Sequence, residues 1–173
     1  VLVVRVESPR IAAEWNNNMQ AFVEGLGQGI PVNISSDPRN ETRAWAEYNA
    51  GSGGKISLWP SPLGLAATFD PELVEKFGRI ASAEYRALGI ATALSPQIDL
   101  ATEPRWNRFY GTFGEDPDLD TDMARAYIDG FQTSVGAAEI ADGWGYESVN
   151  AMVKHWPGGG PEEGGRDAPV SYT

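Results

Sequence analysis

ALGIATALSPQIDLATEPRWNRFYGTFGEDP, residues 87–117, decides the fold. It opens on a helix stop at Gly89 and passes at once into the short apolar run 90–94. A long polar and aromatic loop then leads to Asp116-Pro117, where a capping residue and a proline start a new helix. An apolar run of that length, entered directly from a helix stop, reads as a buried strand of an α/β unit. Working outward, the same punctuation recurs. Ser8-Pro9 opens a helix carrying Ile11, Trp15, Met19, Phe22 and Leu26 on one face, with Gly27 as its stop and Trp15 assigned to the core. Asp70-Pro71 opens a second with Leu73, Phe77, Ile80 and Leu88, and Asp116-Pro117 a third with Leu119, Met123, Ala126, Tyr127 and Phe131. Apolar runs at 1–4 (VLVV), 30–35 (IPVNIS) and 149–153 (VNAMV) supply further strands. The order β-α-β-α-β-α-β predicts a parallel sheet with right-handed crossovers.

Thirteen Lys and Arg stand against 24 Asp and Glu, a net charge of −11. Nucleic acid is excluded as a partner, because phosphate binding needs clustered cations. No window approaches the roughly 18 apolar residues of a membrane span, and VLVVRVESPR is no signal peptide. With no Cys and one His, disulfides, thiolate metal sites and histidine metal clusters are all excluded. Gly51–Lys55 offers Gly-Lys but has Ile56 where a phosphate loop needs Ser or Thr, and GGGPEEGG at 158–165 carries two carboxylates and no cation. Neither binds a nucleotide, and no cofactor or metal is expected.

The segments after the strands are long, polar and aromatic, unlike those before them. Ligand sites of parallel α/β folds lie at the carboxyl ends of the strands, so function is expected there. Each such segment contributes charged groups: Asp37, then Arg105 and Arg108 in PRWNR, then Lys154-His155. Charges of both signs beside aromatic rings suit a neutral polyol, whose hydroxyls both donate and accept and whose C–H faces stack on rings. Read singly, Asp37 is equally a turn residue before Pro38, Arg108 equally a loop partner of Glu115 or Asp116, and His155 a satisfied strand-end histidine.

GIPVNISSDPRN, SLWPSPLGLAATFDPELV, ALGIATALSPQIDLATEPRWNRFYGTFGEDP and KHWPGGGPEEGGRD together resemble, in that order, the N-terminal barrel of glycoside hydrolase family 3, the β-glucosidase and exo-glucanase family. Asn107 stands where the family has Gly, and Trp156 where it has Phe. The resemblance implies an α/β fold, a parallel (β/α)8 barrel of which this chain supplies about half, since closure takes eight strands and roughly 250 residues. It also implies that Asp37, Arg108, Lys154 and His155 bind sugar hydroxyls, Arg108 rather than Arg105 being the ligand-facing arginine. The substrate implied is a β-glucoside or β-glucan oligosaccharide, hydrolysed from its non-reducing end with retention. The two carboxylates of such a reaction, roughly 5 Å apart, are expected outside this chain, on a complementary fragment or chain that completes the barrel. An extracellular or periplasmic setting is implied as well. N-acetylhexosaminidase members place an Asp-x-His dyad where this chain has Asp167-Ala168-Pro169, and proline transfers no proton, which favours the glucosidase reading. A non-catalytic sugar-binding fragment is the alternative of another class. Finally, consecutive Lys154 and His155 must face one site although strand side chains alternate. Regular strand geometry must therefore fail there, and the resemblance implies a non-proline cis bond, with Trp156 and Pro157 constraining the turn.

Overall fold

The computed structural model describes residues 1–3, 6, 8–37, 40–41, 55–134, 139–141, 143–156 and 158–167. In chain order the elements are α1 Pro9–Glu24, β1 Ser35–Ser36, α2 Pro62–Ala66, α3 Pro71–Ala87, β2 Thr92–Ala93, α4 Pro117–Gln132, β3 Glu139–Ala141, β4 Trp144–Gly145 and β5 Asn150–Ala151. Single 3-10 turns span Phe109–Gly111 and Glu163–Gly165. Every α-helix begins with one device. The side chains of Ser8, Ser61, Asp70 and Asp116 accept hydrogen bonds from the backbone N–H three residues on, and proline occupies the first turn, where its missing N–H costs nothing.

β1, β2 and β5 form a parallel sheet in that order, Ser35 opposite Thr92 and Thr92 opposite Asn150. Leu2 bridges Ser35 in parallel, so the first apolar run lies beside β1, although Val4 is outside the described residues. The four predicted strand segments thus lie side by side in chain order. They are shorter than the apolar runs, and for β1 the reason is local: both backbone polar groups of Val32 are taken by the side-chain amide of Gln20, at 2.8 and 3.0 Å, and have none left for the ladder. The parallel α/β reading holds; three strands and one bridged segment do not by themselves close a barrel. The β3–β4 antiparallel hairpin is an addition to the expected order. Among the described residues no helix is long and apolar enough to cross a membrane.

The core lies between the sheet and the α3–α4 pair. Tyr127 stacks on Phe131 with ring centroids 4.6 Å apart, and Phe77 packs edge-on against Phe131 and Trp59. The face predicted for α4 is the one buried: Met123, Ala126, Tyr127 and Phe131 are inside and Leu119 packs against them. On α3 the buried face is turned by about one residue, to Val74, Phe77, Ala81 and Tyr85, leaving Leu73 and Ile80 half-buried.

The face expected of α1 is corrected. Ile11, Trp15, Phe22 and Leu26 are exposed, Trp15 by 48%, so Trp15 is not in the core described here. Ala12, Asn16 and Gln20 face inward instead, at four-residue spacing. Asn16 donates to the Leu88 carbonyl at 2.6 Å while Gln20 holds Val32. Polar side chains hydrogen-bonded to strand and helix-end backbone do here what apolar packing does on α4.

Candidate functional site

Because the strands are parallel, the residues that follow them emerge on one side of the sheet. Asp37 directly follows β1. Its carbonyl accepts from the Tyr85 hydroxyl at 2.8 Å, which ties the start of this loop to α3. After β2 the chain stays extended past the cis Ser95-Pro96 bond. Gln97 bridges Lys154 in parallel, Ile98 N–H donates to the Lys154 carbonyl at 2.8 Å, and Lys154 N–H donates to the Pro96 carbonyl at 3.0 Å. This ladder extends the sheet to the residues that carry charge. The Lys154–His155 peptide bond is cis.

Asp37, Arg108 and Lys154 come together on a cavity of about 330 Å³, which Glu41, Tyr110 and Asp167 also line. Lys154 Nζ donates to Asp37 Oδ1 at 2.5 Å, with both side chains under 20% exposed. Arg108 leans on three partners: Gln97 Oε1 at 3.4 Å, His155 Nε2 at 3.0 Å and Asp167 Oδ2 at 3.6 Å. Its partners are thus cavity neighbours rather than Glu115 or Asp116. Asp167 is itself anchored, accepting from the indole N–H of the buried Trp106 at 2.9 Å.

His155 stands behind Arg108 and does not line the cavity. Its Nδ1 lies 2.6 Å from Asp99 Oδ2. The expectation that His155 donates to a sugar hydroxyl through a ring nitrogen meets a different arrangement, because both ring nitrogens face protein partners. Arg105 faces away: 70% exposed, it forms a two-pronged pair with Glu103 that holds the Glu103 carboxyl at about 2. Trp156 is exposed; Pro157 and the Ala168-Pro169 pair lie outside the described residues.

Sequence reasoning missed Glu41, Ser95, Tyr110, Tyr127 and Asp99. For two of them a signal was present. Ser95, Gln97 and Asp99 are polar residues at two-residue spacing beyond a strand, hence on one face, and all three are buried. Ser95 and Tyr127 share a hydrogen bond of 2.7 Å at the cavity wall, and burial pushes the Tyr127 phenol above its ordinary range. Beneath them Asp120 is pushed up to about 7, first by burial and then by the Asp99 carboxylate. A cavity lined by two pairs of opposite charges, Asp37 with Lys154 and Asp167 with Arg108, and by two phenol rings can hold a molecule dense in hydroxyls.

The model of the glycosyl hydrolase family 3 N-terminal domain matches residues 6–172. The chain belongs to that family. A family 3 relative from Dickeya chrysanthemi, a periplasmic β-glucosidase/β-xylosidase, is 48% identical over 166 residues, which are 96% of this chain and 24% of the relative. β-Glucosidase C of Emericella nidulans is 45% identical over 163 residues, 92% of this chain and 25% of that protein. Among solved structures, a β-glucosidase from Erythrobacter marinus superposes with a TM-score of 0.80 at 28% identity, covering 96% of this chain and 20% of that one. This family 3 segment therefore spans about a quarter of the length of the curated relatives it matches.

Proposed function

We propose that this chain forms about half of a parallel (β/α)8 barrel and supplies the part of a β-glycosidase that grips the terminal non-reducing β-D-glucosyl residue. The observation that carries the reading is the convergence of Asp37, Arg108 and Lys154, each from the end of a different strand, on one cavity. The Asp37–Lys154 pair has the chemistry for it: a sugar hydroxyl donates to the carboxylate and accepts from the ammonium, so two adjacent hydroxyls satisfy both groups at once. Charge-assisted bonds of this kind contribute roughly 1.5–3 kcal/mol each. Arg108 adds further donors to the cavity, and His155, which does not line it, acts through its bond to Arg108.

The nucleophile and the general acid/base are assigned to polypeptide outside these residues, together with the strands that close the barrel. Supporting this, among the described residues no strand pairs with the outer edges of the sheet at Leu2 and at β5, and the relatives are some four times longer. The N-acetylhexosaminidase alternative is disfavoured by Asp167, which is committed to Trp106 and Arg108. The test is Asp37→Ala in the complete enzyme assayed on an aryl β-glucoside. Catalytic efficiency is expected to fall by two orders of magnitude or more; an unchanged efficiency would overturn the reading.

A further inference from the structure

The orientation of Arg108 depends on a residue that touches no part of the cavity. Arg108 carries only N–H donors, so the 3.0 Å contact between its Nη2 and His155 Nε2 requires that Nε2 accept. The imidazole must then be neutral with its proton on Nδ1. That nitrogen points at Asp99 Oδ2, 2.6 Å away, which accepts the proton's hydrogen bond. Asp99 is rigidly held for this purpose. Its side chain is fully buried, and Oδ1 accepts from Gly159 N–H at 2.7 Å, with His155 N–H at 3.5 Å. Gly159 approaches so closely that a Cβ there would lie 2.8 Å from His155 Cβ, so the turn and the ring are packed as one unit.

We infer that Asp99 is a positioning residue: by accepting from His155 Nδ1–H it leaves Nε2 as the acceptor that aims Arg108 into the cavity. A histidine whose far nitrogen is fixed by a carboxylate has a defined tautomer, and the tautomer decides what the near nitrogen can bind. With the proton on Nε2 instead, two donors would face each other and Arg108 would turn away. The catalytic consequence rests on the sugar-binding reading of Arg108; the proton's location does not.

The test uses the complete enzyme labelled with ¹⁵N-histidine, the His155 signals assigned by their loss in H155Q. Two-bond ¹⁵N–¹H correlations in the wild type are expected to show a neutral Nδ1–H ring. In Asp99→Asn the amide oxygen stays on the Gly159 N–H and its NH2 faces Nδ1, so the proton is expected to move to Nε2. Efficiency on an aryl β-glucoside should fall about 10- to 100-fold, the range seen when a metal-binding histidine loses the outer partner that orients it. On an Arg108→Met background the same substitution should cost little, because its target is gone. In Arg108→Met alone the Nδ1–H form should persist, which keeps the inference testable where Asp99→Asn does not fold. An Nε2–H ring in the wild type or in Arg108→Met, an unmoved proton in Asp99→Asn, or an undiminished loss on the Arg108→Met background would each overturn it. If Arg108→Met leaves glucoside turnover intact while the proton moves as described, the sugar reading fails and the placement of the proton by Asp99 stands.

Discussion

Lys154 and Asp37 are each the other's counter-charge, in surroundings that leave 17% and 16% of their side chains exposed. Removing one partner strands the other charge away from water, and that penalty exceeds the worth of the pair itself. Asp37→Ala is therefore expected to cost about 1–3 kcal/mol of stability, and adding Lys154→Met to recover most of it. Denaturant midpoints of the two single variants and the double variant check this; additive losses would count against the pairing. The two arginines of PRWNR separate in the same way. Arg108→Lys loses the planar donors that reach Gln97 and His155 together, and tenfold or more in efficiency on a β-glucoside is expected to go with them. Arg105→Lys only disturbs an exposed pair with Glu103 and should stay near wild type. Equal losses would refute the assignment. Residue types and their strand-end positions brought Asp37, Arg105, Arg108, Lys154 and His155 forward as candidates, and the family resemblance then singled out Arg108 over Arg105. The roles of Asp99 and Asp167 were not, because each acts through a second side chain that only the folded chain brings near.

Where Gly78 meets Gly130, the contact between α3 and α4 is made by backbone. A Cβ on Gly130 would lie 2.4 Å from the Glu75 carbonyl oxygen and 2.8 Å from the Gly78 Cα. Helix propensity alone would make Gly130→Ala stabilising by about 1 kcal/mol; overpacking of about 1–3 kcal/mol or more acts against it. The close approach wins, and Gly130→Ala is expected to lower the denaturation midpoint. An unchanged or raised midpoint would show that the helices can part cheaply. Element by element, the sequence was most readable where apolar spacing coincided with burial, as on α4. It misled on α1, because a binary pattern assumes that the apolar stripe meets the sheet, whereas Asn16 and Gln20 bind backbone there. α2 carries the same Ser-Pro start as its neighbours but is five residues long, too short to display a period. The hairpin had a signal in the sequence, the Asp-Gly pair at 142–143, and Gly143 is at φ +78°.

At the scale of the molecule, charge and edges set the behaviour. Asp120 holds its proton up to about 7 in the folded chain, against 3.8 ordinarily. Between those values the native state carries a proton that the unfolded chain has released, so stability falls as pH rises across the window and levels off above it. The slope is at most about 1.4 kcal/mol per pH unit. Asp120→Asn, neutral throughout, should flatten it, and unfolding free energies of both proteins from pH 4 to 8 provide the comparison. Among the described residues, Leu2 is exposed at one sheet edge and Met152 beside the other, as the proposed half barrel would leave them, and open edges invite pairing. Residues 1–173 expressed alone are expected to self-associate; a monomeric native mass with cooperative unfolding would contradict the half-barrel reading. Acid acts on this chain in one more way. The Asp-Pro bond is the most acid-labile of peptide links, because the aspartyl carboxyl attacks its own carbonyl carbon while the basic proline nitrogen leaves. Asp70 and Asp116 spend that carboxyl on the N–H groups of Leu73 and Leu119. The caps that start α3 and α4 thus also shield two of the chain's three Asp-Pro bonds, and scission there in mild acid would time the fraying of each helix start separately.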